Sequence, residues 1–337
     1  MMPLCAAVLL AGASKESRPM PGIEAEELLR LGFQAARLTY ALGDMGVEAA
    51  GWPEPVLWSP GQGFWLLDPG TAPLSFRLVG LDLRGHNLCD VNLAQIAKLS
   101  PADAVHPFAI QLDARGNVLV AAFHKTQAGT SGMLLTTTPQ GKLVASEDLS
   151  GLSYNGKALV SRQGEIFNLE REVAAPSWYS YQAHRDRRRV AQSDFRNDAT
   201  VVSSRVLEWI AGKDFRILES AGPIPLTLAR KGLEGELVGG DGPFFGLVRT
   251  THVDDGGAAP EMTYARELTV LALNQIKGAV EVLGSFPLPP ALFSRTTSDF
   301  TYYRAHQSHF DKDGAYYEIA WHPSSFEVHR STLKLKP

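Results

Sequence analysis

Short apolar runs separated by glycine- and proline-rich breaks fill most of the chain, the pattern of a β protein. The clearest unit covers 108–149: an apolar run (FAIQL), a turn at Asp113-Ala114-Arg115-Gly116, and a second run (NVLVAAF). A polar loop with Gly129 and Gly132 follows, then a third run (MLLTTT), a turn at Pro139-Gln140-Gly141 and a fourth run (KLVASEDL). Four strands joined by tight turns over about 40 residues correspond to one blade of a β-propeller. Pieces of the same unit recur: FWLL after Gly63, EIFNLE after Gly164, PFFGLVRTTHV after Gly242 and AYYEIAW after Gly314. The long interval between Gly164 and Gly242 has room for one more unit without the marker, expected at 201–218. The reading is all-β, a propeller of six blades with seven as the alternative. A two-sheet β-sandwich is the competing architecture, but it has no reason to repeat one glycine-closed hairpin so often.

Helical spacing is confined to two places. Across 23–37, Ala25, Leu28, Leu29, Gly32, Ala35 and Ala36 fall near one helical face, which predicts a short N-terminal helix. A second helix is predicted at 92–99, with Asn92 as its N-cap. Residues 254–261 and 287–301 read as insertions. The last unit, 314–337, is too short for four strands. A strand from the N-terminal region, at 36–41 or 48–52, is expected to complete it and cover an open sheet edge.

The turns of the form D-x-x-G-x-[VIY]-[LY], as in Asp113–Leu119 and Asp311–Tyr317, resemble those of six-bladed propellers, the broad group of NHL-repeat and gluconolactonase-like proteins. The likeness spans most of 55–335 and lies in turn chemistry and spacing. It implies ligand contacts at one mouth of a central channel and, in the lactonase-like branch, a divalent ion held there. Tryptophan-docking repeats, WD dipeptides and a clean sialidase-type Asp-box are missing from the sequence.

Composition narrows the picture further. Lys and Arg number 32 against 36 Asp and Glu, a net charge of −4. This balance argues against a globally basic nucleic-acid binder. Leu4 to Ala13 (LCAAVLLAGA) has the length of a signal-peptide core and ends in the small-x-small triplet Ala11-Gly12-Ala13. Residues 1–18 are therefore expected to be a leader and 19–337 one propeller domain, periplasmic or secreted. A buried N-terminal strand is the alternative, since Met1-Met2-Pro3 lacks the usual positive charge. No apolar run reaches the roughly 18 residues of a membrane span. Loss of the leader would remove Cys5 and leave Cys89 without a disulfide partner.

Candidate chemistry is sparse. There is no G-x-S-x-G elbow, no Walker loop and no H-E-x-x-H, so no catalytic residue is assigned. Trp178 and Tyr179 precede Arg185, Arg187 and Arg188, a combination suited to stacking a sugar or gripping an anion. His106 and His306 are further binding candidates on strands expected to line the channel. His309 and Asp311, beside His306, are the nearest approach to a metal set. Period-two alternation nevertheless sends His306 and His309 to opposite faces of a strand. The turn Asp311-Lys312-Asp313-Gly314 offers oxygen ligands for calcium, although an Asp bonding its own turn backbone explains it more simply. The functional expectation is an exported, non-catalytic propeller that binds a protein, glycan or envelope component. A metal-dependent, lactonase-like hydrolase with its ion in the channel is the alternative.

Overall fold

The computed structural model describes residues 23–39, 56–59, 62–68, 76–100, 103–112, 116–127, 129–149, 158–160, 166–168, 187–195, 201–210, 214–219, 222–228, 232–240, 242–253, 261–274, 278–294, 300–303 and 308–333. The protein is nearly all-β. Strand β1 (Ile23–Gly32) comes first, followed by a turn over 33–37. The sheet β2 (Val56–Ser59), β3 (Gly63–Asp68), β4 (Arg77–Leu81) and β5 (Asn87–Asn92) is an antiparallel meander. After helix α1 (Leu93–Ile96), a second meander contains β6 (Ala104–Leu112), β7 (Val118–Thr126), β8 (Gly129–Thr137) and β9 (Leu143–Leu149). These are the four strands the sequence pattern gives for 108–149.

The short pair β10 (Ala158–Val160) and β11 (Ile166–Asn168) comes next. Then follow β12 (Arg187–Phe195), β13 (Val201–Ile210), β14 (Asp214–Glu219) and β15 (Gly222–Leu228), again paired in sequence order. Another meander is β16 (Glu236–Val238), β17 (Phe244–His252), β18 (Glu261–Asn274) and β19 (Ala279–Ser294). The last unit is β20 (Phe300–Tyr303) and β21 (His309–Phe310), both pairing β22 (Tyr316–Trp321), then β23 (Ser325–Leu333), which pairs β1. Short bridges between β15 and β19 and between β19 and β20 link the later units into one thirteen-stranded sheet curled as a half-barrel.

Two-sided burial organises the packing. In β3, Phe64 and Leu66 join Ile319, Trp321, Phe326 and Val328 in one core, while Trp65 and Leu67 join Val118, Val120 and Leu135 in another. Side chains alternate across a strand, so an unbroken apolar run such as GFWLLD is a strand buried on both faces. The β16–β19 sheet does the same: Phe245 and Leu247 pack with Phe215, whereas Leu268 and Val270 pack with Phe310 and Tyr316. The strands that open successive units also lie side by side, β2 against β6, β6 against β10 and β12 against β16.

Among the marker glycines, Gly116 and Gly242 fall between the first and second strands of their sheets, Gly63 opens β3, and Gly314 lies between β21 and β22. At Gly314, φ is +86°, and Gly314 N–H donates to Asp311 O while Asp311 N–H donates to Ala315 O. A side chain there would be strained in this left-handed conformation. Gly63 is more constrained still, because a Cβ would stand 2.0 Å from Leu81 O. Gly164 lies outside the described residues. The unit without the marker is β12–β15, where it was expected.

Three readings need correction. Residues 23–32 form strand β1, not a helix, and a bulge between Glu27 and Leu29 explains why the apolar spacing looked helical. Pairing along β23 satisfies the backbone and overrides local propensity. Second, β1 is a strand from the N-terminal region that pairs β23 and completes the last unit, whereas residues 33–37 turn, with Leu38 N–H donating to Phe33 O, and residues 40–41 lie outside the described residues. Residues 48–52 lie outside the described residues. Third, the supposed insertion at 287–301 is largely strand, since β19 continues to Ser294 and β20 begins at Phe300. Pro287, Pro289 and Pro290 are tolerated because β19 there has no ladder partner on its second side among the described residues. Helix α1 forms within the predicted 92–99 but covers only Leu93–Ile96, with the predicted cap in place: Asn92 Oδ1 accepts from Gln95 N–H at 3.0 Å. Among the described residues no helix is long and apolar enough to cross a membrane.

Candidate functional site

Ladder pairing among β1, β20, β22 and β23 sets rows of residues on one face. Glu318, His329 and Glu27 form one row, and Tyr303, Ala320, Glu327 and Arg30 form the next. The opposite face, with Ile319, Trp321, Phe326, Val328 and Leu29, is apolar and packs on β3 and β4. One sheet therefore carries a dry face and a polar face.

The polar face grades from a buried end to an exposed one. At the buried end, Arg266 reaches across from β18 and places Nη2 2.7 Å from Glu318 Oε2, both side chains 1% exposed. Arg266 Nη1 donates to Pro289 O at 3.2 Å, and its guanidinium lies over the Tyr303 ring, 3.9 Å from the centroid. The Tyr316 hydroxyl bridges Ser308 Oγ (3.0 Å) and Glu318 Oε2 (3.1 Å). Burial alone would lower the Arg266 pKa, but the Glu318 carboxylate, Tyr316 and Tyr303 together offset it, and the net shift is upward. Burial first, and then Glu318, raise the pKa values of Tyr303 and Tyr316. This end ties β18 to β22.

Toward solvent, Glu327 is the hub. Its Oε1 lies 2.7 Å from Arg30 Nη2 and 3.1 Å from His322 Nε2, and its Oε2 lies 2.9 Å from His329 Nε2. His322 Nδ1 is 3.2 Å from Thr301 Oγ1, which fixes the imidazole plane. The Tyr303 ring, already stacked on Arg266, sits 6.3 Å from the His329 ring. Arg30 also donates to Glu27 Oε2 at 3.0 Å. That hydrogen bond is the main reason the Glu27 carboxyl titrates below its ordinary value, with His329 and His322 adding to it. Glu327 is nearly buried, with 10% of its side chain exposed, whereas Glu27 and Arg30 stand at 41% and 64%.

The ligand atoms of Glu27, Glu327 and His329 lie within 4.8 Å of one another, the group among the described residues able to hold a metal ion with three side chains. The sequence's metal candidates, His309 and Asp311, are not members of this group. Asp311 is taken up by its own turn: Oδ1 accepts from the N–H groups of Asp313 (3.0 Å) and Ala315 (2.8 Å), and Oδ2 accepts from the Tyr317 hydroxyl at 3.3 Å. The simpler reading of that turn is thus the one the geometry follows. Burial and Asp311 push the Tyr317 phenol up to about 12. His309 lies on β21 opposite Tyr317.

Trp178, Tyr179, Arg185 and His306 lie outside the described residues. Arg187 and Arg188 lie on β12 opposite Ile210 and Trp209, and His106 lies on β6 opposite Phe123; their side chains are outside the described set. Sequence reasoning passed over Glu327 and His329, although the E-x-H spacing within SFEVHRS puts both on one face of a strand. Glu27 and Arg30 were hidden by the helical reading of β1. Cys89 is a free, buried thiol whose pKa burial pushes up to about 12. No protein-family model matches the chain, and no curated protein matches it in sequence.

Proposed function

We propose that the chain is an exported six-bladed β-propeller that binds a protein, glycan or cell-envelope component at one mouth of the ring without chemical turnover. The observation that carries this reading is two-sided burial combined with the terminal seam. The β2–β5 and β16–β19 sheets bury apolar side chains on both faces, and closing a row of such sheets into a ring leaves none of them with a bare apolar face. Pairing of β1 with β23 completes the last unit from the other end of the chain, as ring closure requires. Counting the closing sheet and the β10–β11 unit gives six units, in keeping with the turn chemistry shared with NHL-repeat and gluconolactonase-like proteins. Export rests on the apolar segment ending at Ala13.

The lactonase-like alternative draws its channel ligands from Asp113, Asn155 and Asp311. The first two lie outside the described residues, and the third is held by its turn. Binding is the preferred reading because the sequence carries no recognisable catalytic motif, and fold alone assigns no chemistry.

Purified protein should be presented with an array of neutral and anionic envelope glycans and, in parallel, with lactone and ester substrates. Saturable glycan binding without turnover is expected. Replacing Arg187, Arg188 and Arg189 together by alanine should weaken anionic-glycan binding at least tenfold, since each charge-assisted contact contributes about 1.5–3 kcal/mol. Hydrolysis of a lactone that depends on a divalent ion would overturn the reading in favour of the enzyme.

A further inference from the structure

We propose that Glu27, Glu327 and His329 bind one divalent ion of the zinc class, and that the ion clasps strand β1 to strand β23. The inference rests on the terminal seam alone. Its failure would leave the glycan- or protein-binding reading standing, and the reverse also holds.

Three features point to the ion. The first is the ligand set. Two carboxylates and an imidazole, with ligand atoms within 4.8 Å of one another, need only a small contraction to reach zinc bond lengths of about 2.0–2.2 Å. Nitrogen among the ligands favours zinc and its neighbours over calcium or magnesium, which prefer oxygen alone.

The second feature is support behind the ligands. Glu327 Oε2 faces His329 while Oε1 lies within ion-pair distance of His322 Nε2 (3.1 Å) though not aligned with it as a hydrogen bond, and Thr301 Oγ1 lies 3.2 Å from His322 Nδ1. A ligating carboxylate oriented by a partner behind it is the usual arrangement around a protein-bound metal. His322 is a positioning residue in this scheme, not a ligand.

The third is the cation already there. Arg30 Nη2 contacts both Glu27 (3.0 Å) and Glu327 (2.7 Å), so the two carboxylates already share one positive group. Arg30 is 64% exposed and can swing into water, leaving the carboxylates to a divalent ion entering from solvent on the Glu27 side. Glu27 belongs to β1, and Glu327 and His329 belong to β23, so the ion would join the strands whose pairing brings the two ends of the chain together. Binding to the folded state alone would add to stability by mass action.

The test uses the full chain dialysed against chelator. Zinc is titrated calorimetrically, with calcium and magnesium in parallel, and thermal unfolding is followed with and without zinc. One zinc per chain is expected, with calcium and magnesium at least tenfold weaker, and zinc should raise Tm. Glu27→Gln, a surface change that leaves the core intact, should weaken zinc at least tenfold. His329→Ala should abolish the zinc-dependent rise in Tm. Arg30→Ala should bind zinc at least as tightly as the natural chain, which a plain ion-pair network would not do. The proposal is overturned if neither the natural chain nor Arg30→Ala takes up zinc stoichiometrically. It is equally overturned if zinc binds but Glu27→Gln and His329→Ala leave affinity and Tm shift unchanged.

Discussion

Deleting residues 1–32 is expected to abolish the stable monomeric fold. The loss removes every β1 hydrogen bond to β23 and takes Leu29 out of a core shared with Trp321, Phe326, Phe64 and Leu66. It also bares β23 as an edge, and unpaired edges recruit other chains. Domains of this kind are stable by only about 5–15 kcal/mol. A ten-residue strand with its apolar contacts is a large part of that margin. Size-exclusion chromatography and circular-dichroism melting check the expectation: the truncated chain should run as soluble aggregate or lose its cooperative transition. A monomer whose Tm lies within a few degrees of the full chain would show that β1 is dispensable.

The second large effect is expected at Arg266. Replacing it with methionine strands the Glu318 carboxylate in a buried site, and it also removes the contacts to Pro289 O and the Tyr303 ring. Breaking a buried pair in this way costs about 3–5 kcal/mol, whereas replacing both partners with apolar groups costs far less. Arg266→Met and Glu318→Leu should therefore each lower stability by several kcal/mol. The double variant should recover much of the loss, with a coupling of about 1–3 kcal/mol. Chemical denaturation of the four proteins measures it. Additive single losses would mean that the pair does not tie β18 to β22.

Much of the fold is legible from the chain because its signals are local. The four runs across 108–149 became β6–β9, and the Asn92 cap became the N-terminus of α1. The glycine-closed turn at Asp311 is fixed by hydrogen bonds within five residues. Another turn of the same form was passed over at Asp82, where Oδ1 accepts from the N–H groups of Arg84 and His86. What the sequence concealed was long-range. Strand β1 reads as helical because its bulge breaks period-two alternation, and the partner that overrides the helix lies at the opposite end of the chain. The polar face was hidden for the same reason: Glu27 and Arg30 meet Glu327 only after β1 pairs with β23. Prolines at 287–290 look like a loop until the ladder shows that their strand needs hydrogen bonds on one side only.

The pairing of β1 with β23 is the claim on which the ring, the polar face and the zinc clasp all depend. A disulfide across that pairing tests it most directly. Glu26 and Arg330 are ladder partners, and antiparallel partners stand at Cα distances of about 4.5–5.5 Å, within the reach of a disulfide. In a chain carrying Cys5→Ser, the variant Glu26→Cys/Arg330→Cys should oxidise to an intramolecular disulfide, mapped by mass spectrometry, and melt at a higher temperature than its reduced form. Thiols that stay free under oxidation, or that link only between chains, would contradict the seam.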